Sequence, residues 1–358
     1  MSTPLKKHIT HEKGTTMDRN STSGGAQPRY TQRRPGSLAP ARQVTTERIG
    51  APAGSQTDPC VPPYRALDML QRQYAPVIDR KPPFWRPIPA PVAGDVHEPR
   101  WTWHRTLDTP TSGVLTLDAN AAFVGAISTV EVAHGALRAT GRRSFDPSVP
   151  GYWLTDVHGW NLGSKIVSPL GSRRFGLQDR VWLTTPTMQL LQWLTDEGIW
   201  PAVDVHDSWT GTPRCRLRTW GARIRDDRSA AMMSGSLARL EAIKLGYSQA
   251  VTVMQTPERS RIYRPDWASH IRAQHSATMW RRAFAVHMAG HPVLGMAHID
   301  ELTVSAETLT AMCRGAGNGG KPVLRLDQDG TSLGSFKIKS RTTGKGWNAA
   351  VSGAVRDA

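Results

Sequence analysis

Two aspartates, Asp118 and Asp300, stand 182 residues apart in the same kind of setting. Asp118 closes the run GVLTLD, and Asp300 lies within MAHIDELTV; each acid sits among the leucine and β-branched residues of a strand-like segment. An unpaired carboxylate is costly to bury there. Two of them side by side would repel, and a divalent cation is the usual resolution. Two Mg²⁺ (or Mn²⁺) ions held by two carboxylates are the minimum for in-line nucleotidyl transfer. One activates an attacking 3′-hydroxyl; the other holds the triphosphate and the leaving pyrophosphate. On spacing alone, a pair of ordinary strand-end acids reads the same way.

Other residues offer rival chemistry. Asp204, His206 and Asp207 in VDVHDSWTG are spaced like metal ligands on a strand end, which fits zinc or the catalytic metal of a nuclease or phosphoesterase. A hydrogen-bonded loop accounts for them too. GAGNGGKP lacks the P-loop's closing Ser or Thr and its preceding strand, so it reads as a loop. Cys60, Cys215 and Cys313 are far apart, which excludes a Cys-rich zinc site and a disulfide framework and suits a reducing cytoplasm.

The elements that must position these residues begin near residue 101. Residues 1–100 hold 15 of the 26 prolines but one of the 13 tryptophans. Of the net charge of +16, +7 lies in that segment and +9 in the remaining 258 residues. Residues 1–60 have too little apolar surface to offset ordering and read as a disordered basic arm. Residues 61–100 read as a proline-rich connector with a short helix in PPYRALDMLQRQYA. From 101 onward, strands in GVLTLDAN, WLTD, RVWL and VDVHD alternate with helices in AAFVGAISTVEVAHGAL, TMQLLQWL, SAAMMSGSLARLEAIKLGYSQA and WASHIRAQHSATMWRRAFAVHMAG. HPVLGMAHIDELTVSA gives two short runs flanking the acid, and VLRLDQDGTSLGSFKIKS gives a hairpin turning at DQDG. The sum is α+β with a mostly antiparallel sheet. The basic excess points to an anionic partner. No run of about 18 apolar residues is present, so no membrane span is expected.

The wording around the acids resembles the palm motifs of family B DNA polymerases, the protein-primed phage enzymes above all. The first motif reads D-x-N-S-L-Y, and Asp118, Asn120 and Phe123 fall at its offsets 0, +2 and +5. The resemblance makes Asp118 a metal ligand and Phe123 the steric gate against a ribose 2′-hydroxyl, with Asn120 beside it in the nucleotide site. The third motif, Y-x-D-T-D-S, places its second acid on Asp300, while His298 stands where the first acid belongs and Glu301 where the serine belongs. For the second motif, K-x-x-x-N-S-x-Y-G, the chain offers Arg239, Lys244 and Tyr247 on SLARLEAIKLGYSQ, without the Asn-Ser pair. Cations there would neutralise the triphosphate. Lys337 and Lys339 in FKIKS resemble the basic segment that grips the primer, and Arg281 and Arg282, on the helix preceding the third motif, are expected to bind DNA with them.

TLDANAAF, VEVAHGAL and IYRPDW also resemble the telomere-associated proteins of linear actinobacterial replicons, over about residues 100–345. These resemblances imply a polymerase palm-like antiparallel sheet flanked by helices over 101–345, with 346–358 as a flexible tail. They imply a Mg²⁺-dependent nucleotidyltransferase, polymerase- or primase-like, whose partners are DNA, dNTPs and a terminal protein. Its expected setting is the cytoplasm, with the nucleoid, and its task replication or end-patching. No exonuclease acids stand upstream, so proofreading is not expected. The departures at His298 and the missing Asn-Ser pair leave open a non-catalytic DNA-binding protein with a degenerate palm.

Overall fold

The computed structural model describes residues 64–74, 96–108, 113–175, 179–212, 214–256, 263–315 and 322–356. The arm over 1–60 and most of the proline-rich connector lie outside them. A five-stranded antiparallel sheet carries both acids, in the order β1-β9-β10-β2-β11, from β1 (Trp101–His104), β2 (Gly113–Ala119), β9 (Val293–His298), β10 (Glu301–Ser305) and β11 (Phe336–Thr343). Strict alternation gives this sheet two unlike faces. Leu117, Met296, Leu302 and Phe336 enter the main core on one side. Asp118, Glu301 and Lys337 share one cross-strand row on the other, set by the registers Glu301↔Asp118 and Lys337↔Asp118.

Between β2 and β9 the chain builds the helical and β framework: α2 (Ala122–Thr129), β3 (Glu131–Ala133), β4 (Arg138–Ala139), β5 (Gly151–Asp156), β6 (Arg180–Thr184), α3 (Thr185–Asp196), β7 (Val205–Thr210), β8 (Arg214–Arg216), α4 (Arg218–Met233), α5 (Leu237–Val253) and α6 (Pro265–Met288). A second antiparallel sheet has the order β4-β7-β5-β6, and β3 pairs with β8 alone. Around these, α1 (Ala66–Tyr74) lies ahead of the sheet, α7 (Ala306–Cys313) follows β10, and α8 (Gly344–Arg356) follows β11.

Among the described residues two large hydrophobic cores result, with a small third cluster of Ala133, Leu137, Tyr152 and Trp182. The larger fills the space between the main sheet, the second sheet, α3 and the C-terminal half of α6, with Trp153, Leu191, Trp280 and Phe284 at its centre. The smaller gathers α1, α2, α4, α5 and the N-terminal part of α6 through Leu70, Ile127, Trp220, Ile243 and Trp267. At 24 residues, α6 is about 36 Å long and serves both.

Four expectations change. The single helix expected over 229–250 is two, because Gly235 turns left-handed (φ 66°) and the Ser236 hydroxyl accepts from the Arg239 amide to start α5. EVA (Glu131–Ala133) leaves the expected helix to become β3, where the β-branched Val132 fits an extended backbone. The expected C-terminal hairpin is a loop: the Asp327 carboxylate accepts from the amides of Gly330 and Ser332, folding 327–332 on itself, and β11 pairs with β2 instead. The expected flexible tail forms α8, tied down where the Trp347 indole donates to the Arg105 carbonyl (2.9 Å) and Asn348 exchanges two hydrogen bonds with the Leu107 backbone.

Candidate active site

Local chain geometry brings the two aspartates together. β9 and β10 are joined by the two residues Ile299 and Asp300, and the Asp300 carbonyl accepts from the Ala119 amide at 3.1 Å. Asp300 thus abuts the end of β2, one residue beyond Asp118. Its carboxyl is pushed above the usual range, first by burial and then by the negative charges of Asp118 and Glu301. Three carboxylates therefore converge on one end of two neighbouring strands.

Backbone strain marks the same place. Among the described residues only two non-glycines have positive φ: Ala121 (49°), three residues after Asp118, and His298 (55°), two before Asp300. Such conformations cost roughly 1–2 kcal/mol and survive where surroundings over-determine them. At Ala121 the chain turns sharply from β2 into α2; at His298 it enters the turn that carries Asp300.

Lysines face the acids from β11. Lys337 Nζ lies 3.1 Å from Asp118 Oδ2, and Lys339 is paired with Glu301. A bulge between Ile338 and Ser340 displaces β11 so that both lysines reach this end of the sheet. Tyr247, buried on α5, feels the charges of Asp118 and Asp300, and burial first of all pushes its hydroxyl up to about 12. Its immediate cation is Arg228 of α4, whose guanidinium donates to the Gly330 carbonyl. No sequence motif pointed to Arg228.

The other expected residues fall in varied places. Phe123, half-buried on α2, meets the His275 ring edge-on with centroids 6.1 Å apart. Asn120 is buried, and its amide nitrogen donates to the Asp327 carbonyl (2.9 Å) and the Ser335 hydroxyl (3.1 Å). It ties the 327–335 loop to the end of β2. Arg239 lies over the Tyr64 ring at 5.6 Å, and Lys244 is exposed. Arg281 lies over Trp193 and Arg282 over Phe336, at 5.5 and 5.2 Å, both half-buried. Trp220, Trp267 and Trp280 are likewise buried, with indole nitrogens bonded to backbone carbonyls, so they pack the cores.

The rival metal cluster is also altered. Asp204 and His206 converge with Asp156, not with Asp207, whose carboxylate accepts from the Ser208 amide. Asp156 and Asp204 are already paired, with Arg180 and Arg142, and His206 Nε2 lies 2.6 Å from Asp156. This ion-pair cluster is self-satisfied. Asp118, Asp300 and Glu301 form a partly buried all-oxygen set: lysines meet Asp118 and Glu301, while Asp300 is raised by burial and by its neighbours' charge, so the residues present fit a hard divalent ion such as Mg²⁺ or Mn²⁺.

No family model matches the chain, and no curated protein matches it. Solved structures do. Phi29 DNA polymerase complexed with primer-template DNA, a post-translocation binary complex, is similar at TM-score 0.50 and 10% identity, covering 78% of this chain and 52% of that one. An orthorhombic crystal form of phi29 DNA polymerase gives TM-score 0.49 at 10% identity, covering 78% and 51%. The chain spans about half the length of the polymerases it matches. What the likeness supports is a polymerase-like fold, not the narrower resemblance to telomere-associated proteins. The chain has an α+β architecture in which antiparallel sheets flanked by helices resemble a polymerase domain.

Proposed function

We propose that this protein is a metal-dependent DNA nucleotidyltransferase whose catalytic acids are Asp118 and Asp300. The observation that carries the reading is their convergence from 182 residues apart on adjacent strand ends, with Asp300 raised first by burial and then by the charges of Asp118 and Glu301. Asp118 and Asp300 would hold the ions, with Glu301 beside them. Bound there, a pair of Mg²⁺ or Mn²⁺ ions supplies Lewis-acid activation of a 3′-hydroxyl and neutralises the triphosphate. Phe123 lines the sugar pocket and narrows it against a 2′-hydroxyl. Arg239, Lys244 and Tyr247 from α5 face the triphosphate, joined by Arg228. Asn120 positions the 327–335 loop. Lys337 and Lys339 grip the primer backbone and, between turnovers, balance the acids. The replicon-end setting and a terminal-protein partner rest on the sequence resemblance.

Primer extension with Mg²⁺ and dNTPs tests this. Asp118→Asn and Asp300→Asn are each expected to lower incorporation by about a thousandfold, since metal-borne charge stabilisation amounts to several kcal/mol. Circular dichroism should be unchanged. A wild-type rate in either variant removes that acid from the site. One observation favours a second reading, a non-catalytic DNA-binding protein. Lys337 and Lys339 already pair with Asp118 and Glu301, so charge balance does not demand a metal. That reading predicts salt-sensitive DNA binding with no incorporation under any divalent ion.

A further inference from the structure

The loop over 327–335 touches both large cores. Leu333 packs against the smaller, and Phe336, the first residue of β11, lies in the larger. Two backbone hydrogen bonds close its base, from the Asp327 amide to the Phe336 carbonyl (2.8 Å) and from the Phe336 amide to the Arg325 carbonyl (2.7 Å). One side chain folds its interior. The Asp327 carboxylate accepts from the amides of Gly330 and Ser332 and from the Thr331 hydroxyl. Bonds to a charged acceptor are stronger than neutral ones, so Asp327 holds the Gly330 peptide in place.

Two elements grip the folded loop. From the end of β2, the Asn120 amide donates to the Ser335 carbonyl (2.8 Å), and its side chain donates to the Asp327 carbonyl (2.9 Å) and the Ser335 hydroxyl (3.1 Å). From α4, the buried Arg228 guanidinium donates to the Gly330 carbonyl. The two grips meet at Gly330. Its backbone is left-handed (φ 71°), and a Cβ there would lie 3.3 Å from Arg228 Nη2 and 3.4 Å from Asn120 Oδ1, so a side chain would crowd both. Asn120 follows Asp118 by two residues. Arg228 stands on the helix that packs with Tyr247 of α5 in the smaller core.

We propose that Asp327 is a positioning residue. By fixing the Gly330 peptide, it clasps the helical side of the nucleotide site, at Arg228, to the strand end that bears Asp118, at Asn120. The inference rests on the nucleotidyltransferase reading, which does not itself need the loop. Asp327 acts through Arg228 and Asn120 rather than on substrate.

Two measurements on the full chain with primer-template DNA and Mg²⁺ test it: calorimetric binding of an unreactive α,β-imido deoxynucleoside triphosphate, and steady-state kinetics. Asp327→Ala is expected to weaken analogue binding and raise KM about tenfold, while kcat stays within about twofold. Asp327→Asn keeps one acceptor oxygen and should lose about threefold. Gly330→Ala disturbs the same contact from the loop side and should match Asp327→Ala. The deciding comparison is a double-mutant cycle: Arg228→Gln should weaken analogue binding in the wild type but add little to Asp327→Ala. Losses that simply multiply overturn the clasp. So does wild-type analogue affinity in folded Asp327→Ala, since a merely structural loop would lower the melting temperature and leave that affinity alone. If Asp327→Ala does not fold, Asp327→Asn and Gly330→Ala decide. If the wild type binds the analogue but incorporates nothing, the nucleotidyltransferase reading fails and the cycle still judges the clasp. If it binds no nucleotide, both fail.

Discussion

Asp300 and His275 are both uncomfortable when charged, with opposite consequences for pH. The folded state raises the Asp300 carboxyl, through burial, Asp118 and Glu301, so it binds that proton more tightly than the unfolded chain does. Stability should therefore fall as pH rises from the usual aspartate value through the higher folded one. With EDTA at neutral pH, Asp300→Asn is expected to melt above the wild type, and Mg²⁺ should stabilise the wild type but not the variant. Equal melting of the two in EDTA would mean that Asp300 carries no buried repulsion. His275 is the reverse case. Its folded value is depressed from 6.5 to about 4, so its contribution is intact above 6.5 and lost as pH falls toward 4. That window amounts to about 2–3 kcal/mol. Urea unfolding at pH 7 and pH 4.5 should show His275→Phe losing that much less on acidification than the wild type. A wild-type loss in the variant would assign the slope to other groups, of which His270, also depressed by burial, is the first to consider.

At the scale of elements, α6 is fixed at its start by Arg264. This buried guanidinium binds the Asp266 carboxylate through Nε (2.9 Å) and Nη2 (2.6 Å), donates to the carbonyls of Ala133, His134 and Gly135, and lies 4.3 Å over Trp267. It thereby welds the end of β3 to α6, the helix that carries His275. Arg264→Met strands the buried Asp266 carboxylate and removes a donor from three carbonyls, of which that of Ala133 keeps the Trp267 indole, and should cost about 3–5 kcal/mol in urea unfolding. Arg264→Lys should recover little, because an ammonium cannot reproduce the planar fork. A loss below about 1 kcal/mol would show that the knot is dispensable. The sequence shows IYRPDW plainly but not its purpose, since the three carbonyls it binds lie about 130 residues upstream. The same divide holds elsewhere. GVLTLDAN, HPVLGMAHIDELTV and the α6 segment were legible because their periodicity is local and long. The break at Gly235, the strand at Val132 and the loop closed by Asp327 were not, because one glycine, one short pairing and one carboxylate decided them. Asp118 and Asp300 could be read as a pair only through motif wording. Arg228 could not be read at all, because it acts through a contact distant in sequence.

Considered as a whole, the molecule separates its charges by sheet face. The basic excess of the chain suggested DNA contacts anywhere, including Arg281 and Arg282, but on α6 those two lie over the rings of Trp193 and Phe336. The acids' face keeps Lys337 and Lys339, both partly exposed and both engaged by carboxylates. A lysine paired with an acid is not free for a phosphate, so its contribution to DNA binding should depend on what else neutralises that acid. Were Mg²⁺ held by these acids, each lysine would be freed to meet a phosphate of the backbone. Lys337→Ala and Lys339→Ala should then each reduce the slope of log affinity against log salt by about one. In EDTA, removing either lysine exposes a bare carboxylate, and binding should weaken further through repulsion. Arg281→Ala and Arg282→Ala should leave the slope unchanged in both conditions, whatever they do to stability. Fluorescence anisotropy with a primer-template duplex across a salt series distinguishes these outcomes. A slope carried by the arginines and indifferent to the lysines would place DNA on the opposite face from Asp118 and Asp300, and the nucleotidyltransferase reading would go with it.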